Sequence, residues 1–113
     1  MSREAIVGES HSELHSRVVD SLGADIASGR LPTGHVLTLD GVGTQYRVSR
    51  SVAREAIRVL EAMGMVASRR RVGITIQPSV KWNVFDPRLI RWRLDSDDRQ
   101  AQLASLSELR RGF

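Results

Sequence analysis

The chain has 113 residues, no cysteine and a formal net charge of +4. That length accommodates one small domain and part of another. The missing cysteines exclude a disulfide framework and thiol chemistry, and no apolar run approaches the ~20 residues of a membrane-spanning helix. The basic excess is local: seven arginines lie between Arg47 and Arg71 against two acids, Glu55 and Glu61, and Lys81 is the only lysine. Charge of one sign gathered in one stretch points to a polyanionic partner. Arginine suits bidentate contact with guanine edges and phosphates. A GC-rich genome accounts for much of the arginine total but not for its placement.

Residues 1–10 lack the apolar core of a signal peptide and are read as a flexible arm on a cytoplasmic chain. From His11 to Ser28, Leu14, Val18, Leu22 and Ile26 recur every four residues with Val19 beside them, which predicts a helix. Ser10 or Ser12 caps it and Gly29 ends it, while Gly23 inside costs about 1 kcal/mol relative to alanine. The run Arg30-Leu31-Pro32-Thr33-Gly34-His35 is a turn by its proline and glycine, and Val36-Leu37 is a short edge strand. Thr38 to Arg47 is a weaker helix. Thr38 or Asp40 caps it, and Leu39, Val42 and Tyr46 keep helical spacing. Gly41 and Gly43 each oppose it by about 1 kcal/mol, so packing against the next helix has to hold it.

That next helix organises the chain. Ser49 is its N-cap and Gly64 its stop. Ala53, Ile57 and Leu60, with Ala56 and Met63 beside them, form an apolar stripe, and Arg50, Arg54 and Arg58 recur at i, i+4, i+8 on another, with Ser51 at its N-terminal end. An apolar back and an arginine front suit the major groove of duplex DNA. With the preceding short helix this makes a helix-turn-helix. Met65–Ser68 and Ile74–Gln77 are β-compatible, the second alternating with period two. Between them Arg69, Arg70, Arg71, Val72 and Gly73 form a hairpin tip, a wing that lies over backbone phosphates or reaches into the minor groove.

After Pro78, Lys81-Trp82-Asn83-Val84-Phe85 is an apolar connector, and Asp86-Pro87 opens a short helix bearing Leu89, Ile90, Trp92 and Leu94. Such a cluster, if exposed, is sticky and is expected to pack on a partner surface. Asp95-Ser96-Asp97-Asp98 is a polar break. Arg99 to Arg111 reads as an amphipathic helix with Leu103, Leu106 and Leu109 on one face and nothing evident to bury against. The expected architecture is α+β: a winged helix-turn-helix of three helices plus a two-stranded β-hairpin wing, followed by a C-terminal helical connector.

These residues resemble the N-terminal half of GntR-type bacterial transcription regulators of the FadR-like subgroup. The resemblance rests on Ile26-Ala27-Ser28-Gly29-Arg30-Leu31-Pro32-Thr33-Gly34, on Val48-Ser49-Arg50, on Ala53-Arg54-Glu55-Ala56-Ile57-Arg58-Val59-Leu60 through Val66, on the wing Arg69 to Ile76, and on Trp82 to Trp92. It implies a dimer on a palindromic operator of double-stranded DNA, with Arg50 and Arg54 facing bases and phosphates, Ser49 on a phosphate, and Val72-Gly73 approaching the minor groove. It divides the chain into an arm (1–10), a DNA-binding domain (11–78), a linker with a short helix (79–98) and the first helix of an absent effector domain (99–113). The small-molecule effector site is therefore absent from this chain. Arg47 departs from the pattern, standing where the family usually has a turn glycine.

Competing readings are weaker. His11 and His15 at i, i+4 have no evident third metal ligand, and His35 is a lone turn residue. Trp82, Phe85 and Trp92 read as packing. No serine–histidine–acid set or phosphate-cradling glycine loop occurs, so no enzyme, cofactor, metal or membrane partner is expected. Binding to RNA lacks stacking aromatics among the arginines. The main alternative is a truncated fragment that docks on a full-length relative and has little DNA affinity alone.

Overall fold

In the computed structural model, which describes residues 10–96, helix α1 (His11–Ala27) begins where its sequence closes two orphan donors at once. The Ser10 hydroxyl accepts from the Glu13 N–H at 3.1 Å, and the Glu13 carboxylate accepts from the Ser10 N–H at 2.8 Å. This reciprocal cap selects Ser10 over Ser12. The chain then turns through β1 (Val36–Leu37) into α2 (Leu39–Tyr46), where the Thr38 hydroxyl accepts from Gly41 N–H at 2.9 Å. Helix α3 (Arg50–Ala62) is capped by Ser49, whose hydroxyl accepts from Val52 N–H at 3.1 Å. Strands β2 (Val66–Arg69) and β3 (Gly73–Ile76) follow. The expectations for residues 1–9 and for the helix 99–111 lie outside the described residues.

The expected two-stranded wing is part of a larger sheet. Its order is β1-β3-β2, antiparallel throughout, with Val36 opposite Thr75, Leu37 opposite Ile74 and Arg69 opposite Gly73. The third strand is the two-residue Val36–Leu37 segment. It covers the side of β3 that β2 leaves free, where bare N–H and C=O groups otherwise face outward. The edge strand expected at Val36–Leu37 is present, and its pairing partner β3 lies far along the chain.

The core is one cluster. Val18, Val19, Leu22 and Ile26 of α1 meet Val52, Ala53, Ala56, Ile57 and Leu60 of α3, with Val42 from α2 and Ile74 and Ile76 from β3. The stripe expected on α3 is the buried one, widened by Val52. Leu89 and Trp92 join the same cluster. They lie on α4 (87–96), which follows a short 3-10 turn at Ser79–Lys81. Trp92 and Leu89 are thus buried in the chain's own core, not on a partner surface as expected, whereas Phe85 stands 86% exposed. Trp82 is half-buried. Its indole N–H donates to Gln77 O at 2.9 Å, and the Arg93 guanidinium lies 5.3 Å from the ring centroid.

Two glycines make this docking possible. A Cβ at Gly23 would fall 2.2 Å from the Trp92 ring, so the residue that weakens α1 in isolation creates the notch that seats the tryptophan. Gly64 takes φ 79, and a Cβ there would fall 2.2 Å from Lys81 O. Next to it, Met63 O accepts from Asn83 N–H at 2.7 Å. The connector is therefore fastened to the end of α3. Arg91 reaches Asp20 of α1 at 3.0 Å. Asp86, with its side chain 12% exposed, starts α4 by accepting from Arg88 N–H at 2.9 Å and from the Arg88 guanidinium at 2.9 Å. The Arg88 hydrogen bond holds the Asp86 carboxyl below its ordinary pKa and raises that of Arg88.

Alanine is the better helix former by about 1 kcal/mol, but overpacking a filled site costs about 1–3 kcal/mol. Gly23→Ala should therefore lower stability and shift Trp92 emission; a higher Tm with unchanged fluorescence would contradict this packing. Asp86 is easier to ionise folded than unfolded, so its contribution is full above the unfolded carboxyl pKa of about 3.9. It is lost as pH falls through the lower folded value. Urea unfolding of Asp86→Ala should show a deficit of about 1 kcal/mol at neutral pH that disappears in strong acid.

Candidate nucleic-acid interface

The turn between α2 and α3 is three residues long and ends on the cap of α3. Arg47 closes α2 in the left-handed region, φ 57 and ψ 48, and the N–H of Val48 donates to Gly43 O at 3.0 Å. This conformation costs an L-residue roughly 1–2 kcal/mol, which is the physical reason for a glycine at such a position. Arg47 adopts it without a side-chain substitute for that freedom. The second strained residue is Arg71, φ 67, in the loop 70–72 at the end of the hairpin, where Val72 N–H donates to Arg69 O at 3.2 Å. Gly73 also turns, with φ 118.

With its apolar residues turned inward, α3 presents Arg50, Ser51, Arg54 and Arg58 to solvent, and Ser49 is exposed at its cap. Arg50, Arg54 and Arg58 line an open groove whose other wall is Ser68, Arg69 and Gly73 of the wing. Arg70, Arg71 and Val72 are exposed in the loop just beyond it. The arginines expected to share a surface from two separate elements therefore converge through Arg69. Five of the ten candidate residues line the groove; the two serines sit at the start of α3 and the remaining three at the hairpin tip.

Three acids near this surface have assignments that chain order conceals. Asp40, near the start of α2, forms an ion pair with Arg50 and lines the same groove. The Glu61 carboxylate accepts from Ser68 N–H at 3.3 Å, joining the end of α3 to the root of the wing. Glu55 contacts His11 Nε2 at 2.8 Å, joining α3 to the first residue of α1. None of these contacts is local in sequence. Asp40 reads as a cap candidate, and only the crossing of α2 over α3 puts it beside Arg50. Among the described residues no group of three or more histidine, aspartate or glutamate side chains gathers that could hold a metal.

The protein-family model "Bacterial regulatory proteins, gntR family" matches residues 14–76, more than half of the chain. The chain belongs to the gntR family. Within it, the chain is 33% identical over 82 residues to the HTH-type transcriptional regulator YieP of Escherichia coli (strain K12), covering 72% of this chain and 36% of that one. The chain thus spans about a third of the length of the curated relatives it matches. A GntR family transcriptional regulator from Listeria monocytogenes shares the fold at TM-score 0.54 and 18% identity, covering 86% of this chain and 80% of that one. BusR of S. agalactiae, solved in complex with its busAB-promotor DNA, aligns at TM-score 0.54 and 16% identity over 84% of this chain and 50% of BusR. These likenesses establish the winged-helix fold of this gntR-family chain. No helix among its described residues is long and apolar enough to cross a membrane.

Proposed function

We propose that this gntR-family chain is the sequence-specific DNA-binding part of a cytoplasmic transcription regulator of the FadR-like subgroup. Helix α3 enters the major groove, and the arginine wing lies on the minor groove or backbone. One observation carries the reading: Arg50, Arg54 and Arg58 from α3 and Arg69 from β2 line one open surface, backed by a helix face buried in the core. That surface has the form of a groove-inserting helix flanked by a second cationic element. The family membership of residues 14–76 and the promoter complex of a BusR-like fold support it.

Arg50 and Arg54 are the base-facing residues in this reading, with Arg58, Ser49 and Ser51 on flanking phosphates. Arg70 and Arg71 hold the backbone at the wing, and Val72-Gly73 approaches the minor groove. On a palindromic operator two chains occupy two half-sites. The second reading, a fragment docking on a full-length relative, rests on the exposed apolar side chains of the connector, Phe85 at 86% and Val80 at 87%. It draws nothing from the arginine surface.

Binding is measured by fluorescence anisotropy on duplexes selected from a randomised pool. Arg54→Ala should cost about 1–3 kcal/mol and relax preference at one position; unchanged affinity and preference would remove α3 as the reader. Arg70→Ala should weaken binding to all duplexes alike and flatten the dependence of log K on log salt by about one contact. Association only with a longer relative, and with no duplex, would favour the docking fragment.

A further inference from the structure

The Asp40–Arg50 pair is not accounted for by stability or by charge complementarity. Both partners are exposed, Arg50 at 57% and Asp40 at 81% of their side chains, and an exposed ion pair adds little to folding. A carboxylate on an arginine-lined groove also repels phosphate. Yet the backbone on each side of it is fixed. Asp40 is the second residue of α2, whose start is fixed by the Thr38 cap, and Arg50 is the first residue of α3, fixed by the Ser49 cap. Two capped helix starts fix the backbone positions from which the two side chains meet.

The contact uses the Arg50 Nη1 group. It leaves the Nε–Nη2 edge of the guanidinium free, with two parallel N–H donors. Guanine presents two adjacent acceptors in the major groove, N7 and O6, whereas adenine presents an acceptor beside a donor. The remaining acceptor capacity of the Asp40 carboxylate suits the N4 amino donor of the paired cytosine and opposes the acceptor-only edge of thymine. A side chain already restrained by a partner also loses less rotamer freedom on binding.

Resting on the DNA-binding reading above, we propose that Asp40 is a positioning residue: it orients Arg50 to read guanine, so that each half-site requires a G·C pair under the start of α3. The carboxylate trades general affinity for base choice. It reduces attraction to phosphate and fixes the one arginine it touches.

The 113-residue chain and its variants are tested on duplex pools randomised over the half-site, with circular dichroism confirming the fold. Wild type should recover guanine at one position. Asp40→Ala and Asp40→Asn should reduce that preference about tenfold or more, and Asp40→Glu should restore part of it. Arg50→Ala should abolish the same preference, and adding Asp40→Ala in that background should change nothing further. If Asp40→Ala instead raises affinity for every duplex by one factor and leaves base preference intact, Asp40 acts only as a repelling charge and the proposal fails while DNA binding stands. Independent effects of the Asp40 and Arg50 substitutions on base preference also overturn it. A wild-type chain that binds no duplex overturns the DNA-binding reading itself, and this inference with it.

Discussion

The arginine surface depends on the burial of the opposite face of α3. Arg50, Arg54 and Arg58 repel one another along the helix, each like-charge pair costing roughly 0.2–0.5 kcal/mol. Against this, Val52, Ile57 and Leu60 are fully enclosed, and burying an aliphatic side chain of that size contributes about 1.5–3 kcal/mol. Packing therefore wins by a wide margin and can carry an outward row of like charge. Ala53 and Ala56 lie at the same interface with no exposed surface; their small size lets α1 approach closely. A bulky substitution at either would push the helix outward and move every arginine relative to the wing.

The same logic explains a helix that is poor by itself. Helix α2 has eight residues and two glycines, too short and too flexible to persist alone. It is held by the Thr38 cap and by Val42, buried to 1%. What α2 supplies is placement: it ends in the left-handed Arg47, delivers the chain to the Ser49 cap, and brings Asp40 beside Arg50. Arg47 and Arg71 both occupy conformations that favour glycine. Strain of this kind persists where surrounding structure over-determines the backbone: the cap of α3 on one side, the β2–β3 register on the other.

The connector shows how a local weakness becomes a packing feature. Gly23 lowers helix propensity in α1, yet its missing side chain receives the Trp92 ring. Gly64 ends α3 and leaves room for the carbonyl of Lys81. Arg91 ties α4 to Asp20 of α1, and Asn83 ties the connector to Met63 at the end of α3. Ile90 and Leu94 remain exposed on the outer side of α4.

The amino-acid sequence by itself determined the helices with strong periodicity and chemical punctuation. The fourfold repeat of α1, the apolar and arginine stripes of α3, the Ser49 cap and the arginine hairpin are all local patterns, with their physics contained within one or two turns. Only the tertiary structure decided what joins residues far apart in the chain. It added Val36–Leu37 to β3, sent Trp92 into the Gly23 notch, and set Asp40 on Arg50, His11 on Glu55 and Glu61 on the wing. Periodicity shows which side of a helix is apolar, because that depends on spacing along one segment. It is silent on which carboxylate meets which guanidinium, because that depends on the angle at which two segments cross.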